Sequence, residues 1–72
     1  MAEAASAERF FQVRTRLGLS QGKLGKLLQI KAQTISAWER GEAYPRMETA
    51  QRLAEMANVS VEWLLTGKAS NE

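Results

Sequence analysis

Cysteine and histidine are both missing from this chain, and all eight of its acidic residues are glutamates. Without cysteine there is no disulfide and no thiolate nucleophile. Without either residue a transition-metal site has no strong ligand, so no metal and no cofactor is expected. Nucleophile-base pairs of the Cys-His or Ser-His kind are excluded as well. A two-glutamate acid/base device stays formally open, but no spacing marks such a pair, and an enzyme is not expected. No apolar run approaches the roughly 18 residues of a membrane span. The opening Met1-Ala2-Glu3-Ala4-Ala5 lacks the basic and apolar blocks of a signal peptide. The expectation is a soluble, cytoplasmic protein with no membrane partner. A single proline, Pro45, interrupts the chain.

What remains is one domain of 72 residues with a net charge of +2. At this size only about 60% of the unfolded surface can be buried, so the core is small. The charge mildly favours a polyanionic partner but is too small to identify one. The positions of the charges carry more information than their sum.

Helix caps and the 3.6-residue apolar period organise the chain. A first helix is expected from Ser6 to Leu17, with Phe10, Val13, Arg14 and Leu17 on one face and Phe11 beside them. Gly18 ends it. Ser20 is an N-cap for a second helix, Gln21 to Leu28, whose inward positions are Leu24, Gly25 and Leu28. After a break at Gln29-Ile30-Lys31, a third helix spans Ala32 to Arg40 with Ile35 and Trp38 inward, and Gly41 stops it. Residues 42–45 form a loop, because Pro45 disfavours helix at Tyr44. A fourth helix covers Arg46 to Ala57, with Met47, Ala50, Leu53, Ala54 and Ala57 as its apolar face. Asn58 takes a left-handed cap, and Ser60 caps a short fifth helix, Val61 to Leu65, closed by Gly67. The domain is expected at residues 6–67, with flexible tails at 1–5 and 68–72. With no strand signal and no repeat, the fold class is all-α, a compact globule of five helices.

The informative stretch is Gln21 to Arg40. Two short helices that cross steeply around a tight turn need a small residue at the crossing, and Gly25 supplies one. Leu24, Leu28, Ile30, Ile35 and Trp38 supply the inward face. The outward face of the second of these helices is polar or small: Lys31, Ala32, Gln33, Thr34, Ser36, Ala37 and Arg40. An ordinary helical hairpin of a bundle meets the same description.

The wider pattern narrows the choice. The carrying segments are Arg16-Leu17-Gly18-Leu19-Ser20-Gln21, Thr34 to Gly41, Arg52-Leu53-Ala54 and Val59 to Gly67. In order and spacing they resemble the phage Cro/repressor-like (XRE-type) helix-turn-helix family over roughly residues 8–67, with the lambda-repressor-like fold. Three positions depart from that pattern. Gln29 stands where glycine is frequent in the turn, at ~1 kcal/mol for a left-handed glutamine. Lys31 replaces a capping Ser or Thr, and Gly22 weakens the second helix, each by about 1 kcal/mol.

The resemblance implies a transcriptional regulator, with a repressor as the expected mode, whose recognition helix (32–40) enters the major groove. Lys31, Ala32, Gln33 and Ala37 would then face base edges. Only Gln33 can donate and accept at once, which suits adenine N6 and N7; the alanines offer a methyl to thymine. Gln21, Lys23, Thr34, Ser36, Arg40, Tyr44 and Arg46 are the candidate phosphate contacts, Gln21 from the positive end of the second helix. In the family a glutamine there can also brace the recognition helix. Arg14 and Glu39 are expected as a partly buried structural ion pair, and Trp38 as core.

The implied partners are double-stranded operator DNA and a second copy of the chain. A homodimer would set two recognition helices about 34 Å apart. Val61, Trp63, Leu64 and Leu65 are the expected dimer seam, with Trp63 left partly exposed; the alternative is that Trp63 caps the domain's own core. A protein partner, as in an antitoxin whose helix-turn-helix serves autoregulation, is the competing class.

Overall fold

The computed structural model describes residues 2–68, and their side chains from Ser6 onward. Five helices follow one another: α1 (Ala2–Arg16), α2 (Gln21–Leu28), α3 (Ala32–Glu39), α4 (Met47–Ala57) and α5 (Val61–Thr66). Every regular element among the described residues is helical, so the fold is all-α.

Local chemistry accounts for most of the boundaries. Ser20 sits in extended backbone, and its Oγ accepts from the Lys23 N–H at 3.1 Å, satisfying one amide that the first turn of α2 cannot. Ser60 does the same for α5, accepting from the Trp63 N–H at 2.9 Å. Two helices end on left-handed residues that are not glycine: Gln29 after α2 (φ 63°) and Asn58 after α4 (φ 59°). Asparagine tolerates that conformation through its short polar side chain. Glutamine does not share the advantage, so Gln29 is a strained position. Lys31 precedes α3 without any side-chain bond to the helix.

Several boundaries differ from the sequence expectation. The first helix begins at Ala2 rather than Ser6. The alanines at 2, 4 and 5 favour helix. Ser6, in place of a starting cap, is a buried residue inside α1. Residues 2–5 of the expected N-terminal tail therefore lie in a helix, and of the expected C-terminal tail only Lys68 lies within the described residues. Arg40, expected as the last residue of α3, is its C-cap, and Arg46, expected as the first residue of α4, is its N-cap, while α5 runs one residue further, to Thr66.

The core joins all five helices around one aromatic pair. Phe10 of α1 and Trp38 of α3 lie with ring centroids 5.7 Å apart, tilted by 47°. Val13, Leu24, Leu28, Ile35, Leu53, Ala54 and Leu64 close around them. α3 packs on α1 and α2, and α5 on α1 and α4. Met47 is a correction: expected on the inward face of α4, it is more than half exposed. It is the first residue of that helix, and Ala50, Leu53 and Ala54 provide the buried stripe. No helix among the described residues is long and apolar enough to cross a membrane.

Candidate nucleic-acid interface

The site begins with the way α2 and α3 meet. A Cβ on Gly25 would stand 2.6 Å from the Ile30 carbonyl oxygen and 3.5 Å from the Ala32 nitrogen. Only a residue without a side chain allows that approach. The contact is reinforced by the Ile30 N–H, which donates to the Gly25 carbonyl at 2.8 Å. The left-handed Gln29 turns the chain between them. These few atoms set the angle at which α3 leaves α2.

α3 is then held from behind. Ile35 and Trp38 are buried, which leaves the opposite face of the helix to solvent. Lys31, Gln33 and Thr34 are exposed there; Ala32, Ser36 and Ala37 are half-buried. Gln33 and Ala37 are one helical turn apart, so they share a face beyond Lys31. The Lys31 side chain caps none of the leading amides of α3, and its carbonyl accepts only from the Thr34 and Ile35 N–H groups, so the amides of Ala32 and Gln33 face an external acceptor.

A network of polar groups fixes the far end of α3. Arg14 Nε donates to Glu39 Oε2 at 2.6 Å and Arg14 Nη2 to Glu39 Oε1 at 3.0 Å, a two-pronged pair. Arg14 Nη1 donates to the Leu19 carbonyl at 2.9 Å, tying the same guanidinium to the loop before α2. The two side chains are 13% and 8% exposed, so water screens them little. The hydrogen bond from Arg14 to Glu39 raises the guanidinium above its ordinary pKa, with the glutamate charge adding to the effect against the cost of burial. Gln21 completes the network: its Nε2 donates to Glu39 Oε1 at 3.1 Å. The first residue of α2 thus braces the last residue of α3.

Beside this network lies an open groove of about 490 Å³, walled by Ala7, Glu8 and Phe11 of α1 and by Gln21, Ser36, Glu39 and Arg40. Three phosphate candidates, Gln21, Ser36 and Arg40, therefore sit together. Lys23 is exposed on α2, and Tyr44 and Arg46 are exposed on the loop before α4. Arg40 is not free: its guanidinium donates to Ser36 Oγ and, at 2.9 Å, to Glu42 Oε1. Sequence reading had assigned Glu42 nothing beyond a place in the loop.

At the other end of the molecule the expected dimer seam divides. Leu64 is a correction: it is fully buried in the chain's own core and has no surface to offer a second copy. Its position three residues after Val61 on a one-and-a-half-turn helix points it at α1 and α4. Val61, Trp63 and Leu65 are half-buried and pack against that core. Trp63 also lies under the Arg9 guanidinium, 5.9 Å from the ring centroid. The same Arg9 donates from Nε to the Leu64 carbonyl at 3.0 Å, and Ser6 Oγ donates to the Leu65 carbonyl at 2.9 Å. The sequence marks Ser6 only as the start of a helix and assigns Arg9 no role. Their i, i+3 spacing on the buried side of α1 was the available signal.

Among the described residues no cluster of three acidic groups could hold a metal ion. The chemistry on offer is recognition: an exposed polar helix face flanked by hydrogen-bond donors and cations.

Comparison with known proteins agrees with this geometry. The helix-turn-helix family matches residues 11–64. The HTH-type transcriptional activator BcrR of Enterococcus faecalis is 34% identical over 61 residues, covering 85% of this chain and 30% of that protein. The Repressor protein CI of Enterobacteria phage phi80 is 36% identical over 64 residues, covering 89% of this chain and 27% of that protein. The Repressor protein C2 of Salmonella phage P22 is 35% identical over 63 residues, covering 88% and 29%. Among solved structures, apo-HppE superposes with a TM-score of 0.76 at 27% identity, covering all of this chain and 39% of the other. The chain thus spans roughly a third of the length of these relatives. By the matched profile, the relatives and the α2–α3 geometry, it belongs to the XRE-type helix-turn-helix family.

Proposed function

We propose that this chain is a sequence-specific repressor that docks α3 in the major groove of an operator as a twofold dimer. The observation that carries the reading is the exposed face of α3, with Gln33 at its centre and Ile35 and Trp38 locked behind it. Gln33 reads adenine through N6 and N7, while Ala32 and Ala37 meet thymine methyls and Lys31 reaches a guanine or a phosphate. Direct readout is thin, so dimer spacing and DNA shape carry much of the specificity. Gln21, Lys23, Thr34, Ser36, Arg40, Tyr44 and Arg46 supply the phosphate contacts that set register and salt-sensitive affinity.

The dimer contact falls to Val61, Trp63 and Leu65, the three residues of the expected seam that keep some exposure. Two copies would bring their recognition helices about 34 Å apart, one turn of DNA. Relatives include a named activator as well as named repressors; the place of the operator relative to polymerase decides between the two modes. The site of action is the bacterial cytoplasm, where operator DNA lies.

Selection of bound duplexes from a random pool tests the reading and returns site, symmetry and half-site spacing together. On the selected duplex, Gln33→Ala should cost ~1–3 kcal/mol, with little change on random DNA. Equal losses on both would remove the base-reading role.

A further inference from the structure

Two acid-base pairs flank the end of α3, and they differ in kind. Arg14–Glu39 is enclosed and joins three elements. Arg40–Glu42 is open: the side chains are 53% and 61% exposed, and no buried group depends on either. A solvent-exposed pair of that sort adds little to stability. Its position is more telling. It stands where α3 passes into the loop that carries Tyr44 and Arg46, beside the groove that holds Gln21 and Ser36. Glu42 is the sole carboxylate in residues 40–46, among two arginines and a tyrosine.

We propose that Glu42 is an electrostatic brake on DNA binding, a carboxylate that competes with a backbone phosphate for the Arg40 guanidinium. The inference rests on the DNA-docking reading above. Arg40 Nη1 and Nη2 are both engaged, on Ser36 Oγ and Glu42 Oε1. A phosphate must either displace Glu42 from the guanidinium or take the remaining N–H groups beside it, and in both cases the Glu42 charge stands close to the phosphate. Either way the contact neutralises less phosphate charge than a free arginine would. Fewer counterions are released, and the sequence-independent part of the affinity stays low. Ser36 has no such conflict, since its hydroxyl can turn from accepting to donating.

The test uses the intact chain and a short fluorescein-labelled duplex of mixed sequence, read by anisotropy from about 50 to about 200 mM salt. Wild type, Glu42→Gln, Arg40→Gln and the double variant form a cycle. Both side chains are exposed, so all four should share one helical circular-dichroism spectrum. Glu42→Gln should tighten binding about two- to five-fold at low salt, and the logarithmic salt slope should steepen by up to about 0.9. In the Arg40→Gln background the gain should shrink toward unity. A Glu42→Gln protein that binds no tighter than wild type overturns the brake while leaving DNA docking intact. An equal gain in both backgrounds also overturns it, because the effect would then be charge removal and not release of Arg40. A wild-type chain that binds no duplex even at low salt removes the docking reading, and the brake with it.

Discussion

Replacing Gly25 by alanine adds one methyl group where α2 meets the turn before α3. The methyl carbon would lie 2.6 Å from the Ile30 carbonyl oxygen, against 3.4 Å for ordinary contact, so about 0.8 Å must be found. The oxygen belongs to the backbone of a turn held by Ile30 N–H to Gly25 O at 2.8 Å and Gln29 N–H to Lys26 O at 3.3 Å. It cannot swing aside as a side chain would. Alanine gains ~1 kcal/mol in helix propensity. Forced overpacking costs about 1–3 kcal/mol, and each loosened turn bond about 1 kcal/mol more. With one of these bonds loosened the net is a loss of roughly 1–3 kcal/mol, or a fall in melting temperature of about 4–24 °C for a domain of this size. Gly22 in the same helix is the internal control. A Cβ there meets nothing nearer than Ser20 Oγ at 4.0 Å. Gly22→Ala should therefore keep the propensity gain and raise the melting temperature by up to about 8 °C. Thermal unfolding followed by circular dichroism reads both. If Gly25→Ala melts at or above wild type, the helices do not approach as closely as described, and the account of the motif's angle fails.

Other outcomes follow from the caps and ion pairs. Lys31→Ser should stabilise α3 by ~0.5–1 kcal/mol through the missing cap, yet weaken operator binding by removing a cation. A variant that loses stability and affinity together would contradict this division of roles. Glu39→Gln keeps the shape but removes the charge that faces Arg14; denaturant titration should show a loss of about 1–3 kcal/mol, and no loss would mean the pair is not enclosed. The Glu42 carboxyl is held below the ordinary glutamate range by the hydrogen bond from Arg40 and then by its charge. Its contribution to stability is thus present above the unfolded pKa and lost as pH falls through the lower, folded value. A carboxyl carbon titration by NMR should show the depression, and Arg40→Gln should abolish it; an unchanged titration would exclude the pair in solution.

Features written into neighbouring residues were legible in advance. Ser20 and Ser60 announce helix starts because their hydroxyls act three residues away. Leu24, Leu28, Ile35 and Trp38 fall inward by period alone. Features set by distant parts of the chain were not. Ser6 read as the start of a helix, yet it lies within one, because its hydroxyl is taken by a carbonyl 59 residues away. Met47 read as core, but at the first position of α4 it projects past the end of the packed layer. Leu64 read as surface because a six-residue helix has little room to hide it, whereas α1 covers it from across the domain. At the interface, the face of α3 could be listed residue by residue from its period. The engagement of Arg40 by Glu42 could not, since it depends on how the chain turns after Gly41.

The contacts of Ser6 and Arg9 with the last turn of α5 fasten the beginning of the chain to its end. The chain between them is thereby closed into one loop, clasped by two hydrogen bonds and a cation resting on Trp63. Such a ring has little to gain from forming piecemeal. α5 is too short to persist without the helices it packs on, α1 and α4. The domain is built to appear and vanish as a unit, and α3, lying mid-chain, is held through Arg14 by the same helix that the clasp secures at its other end.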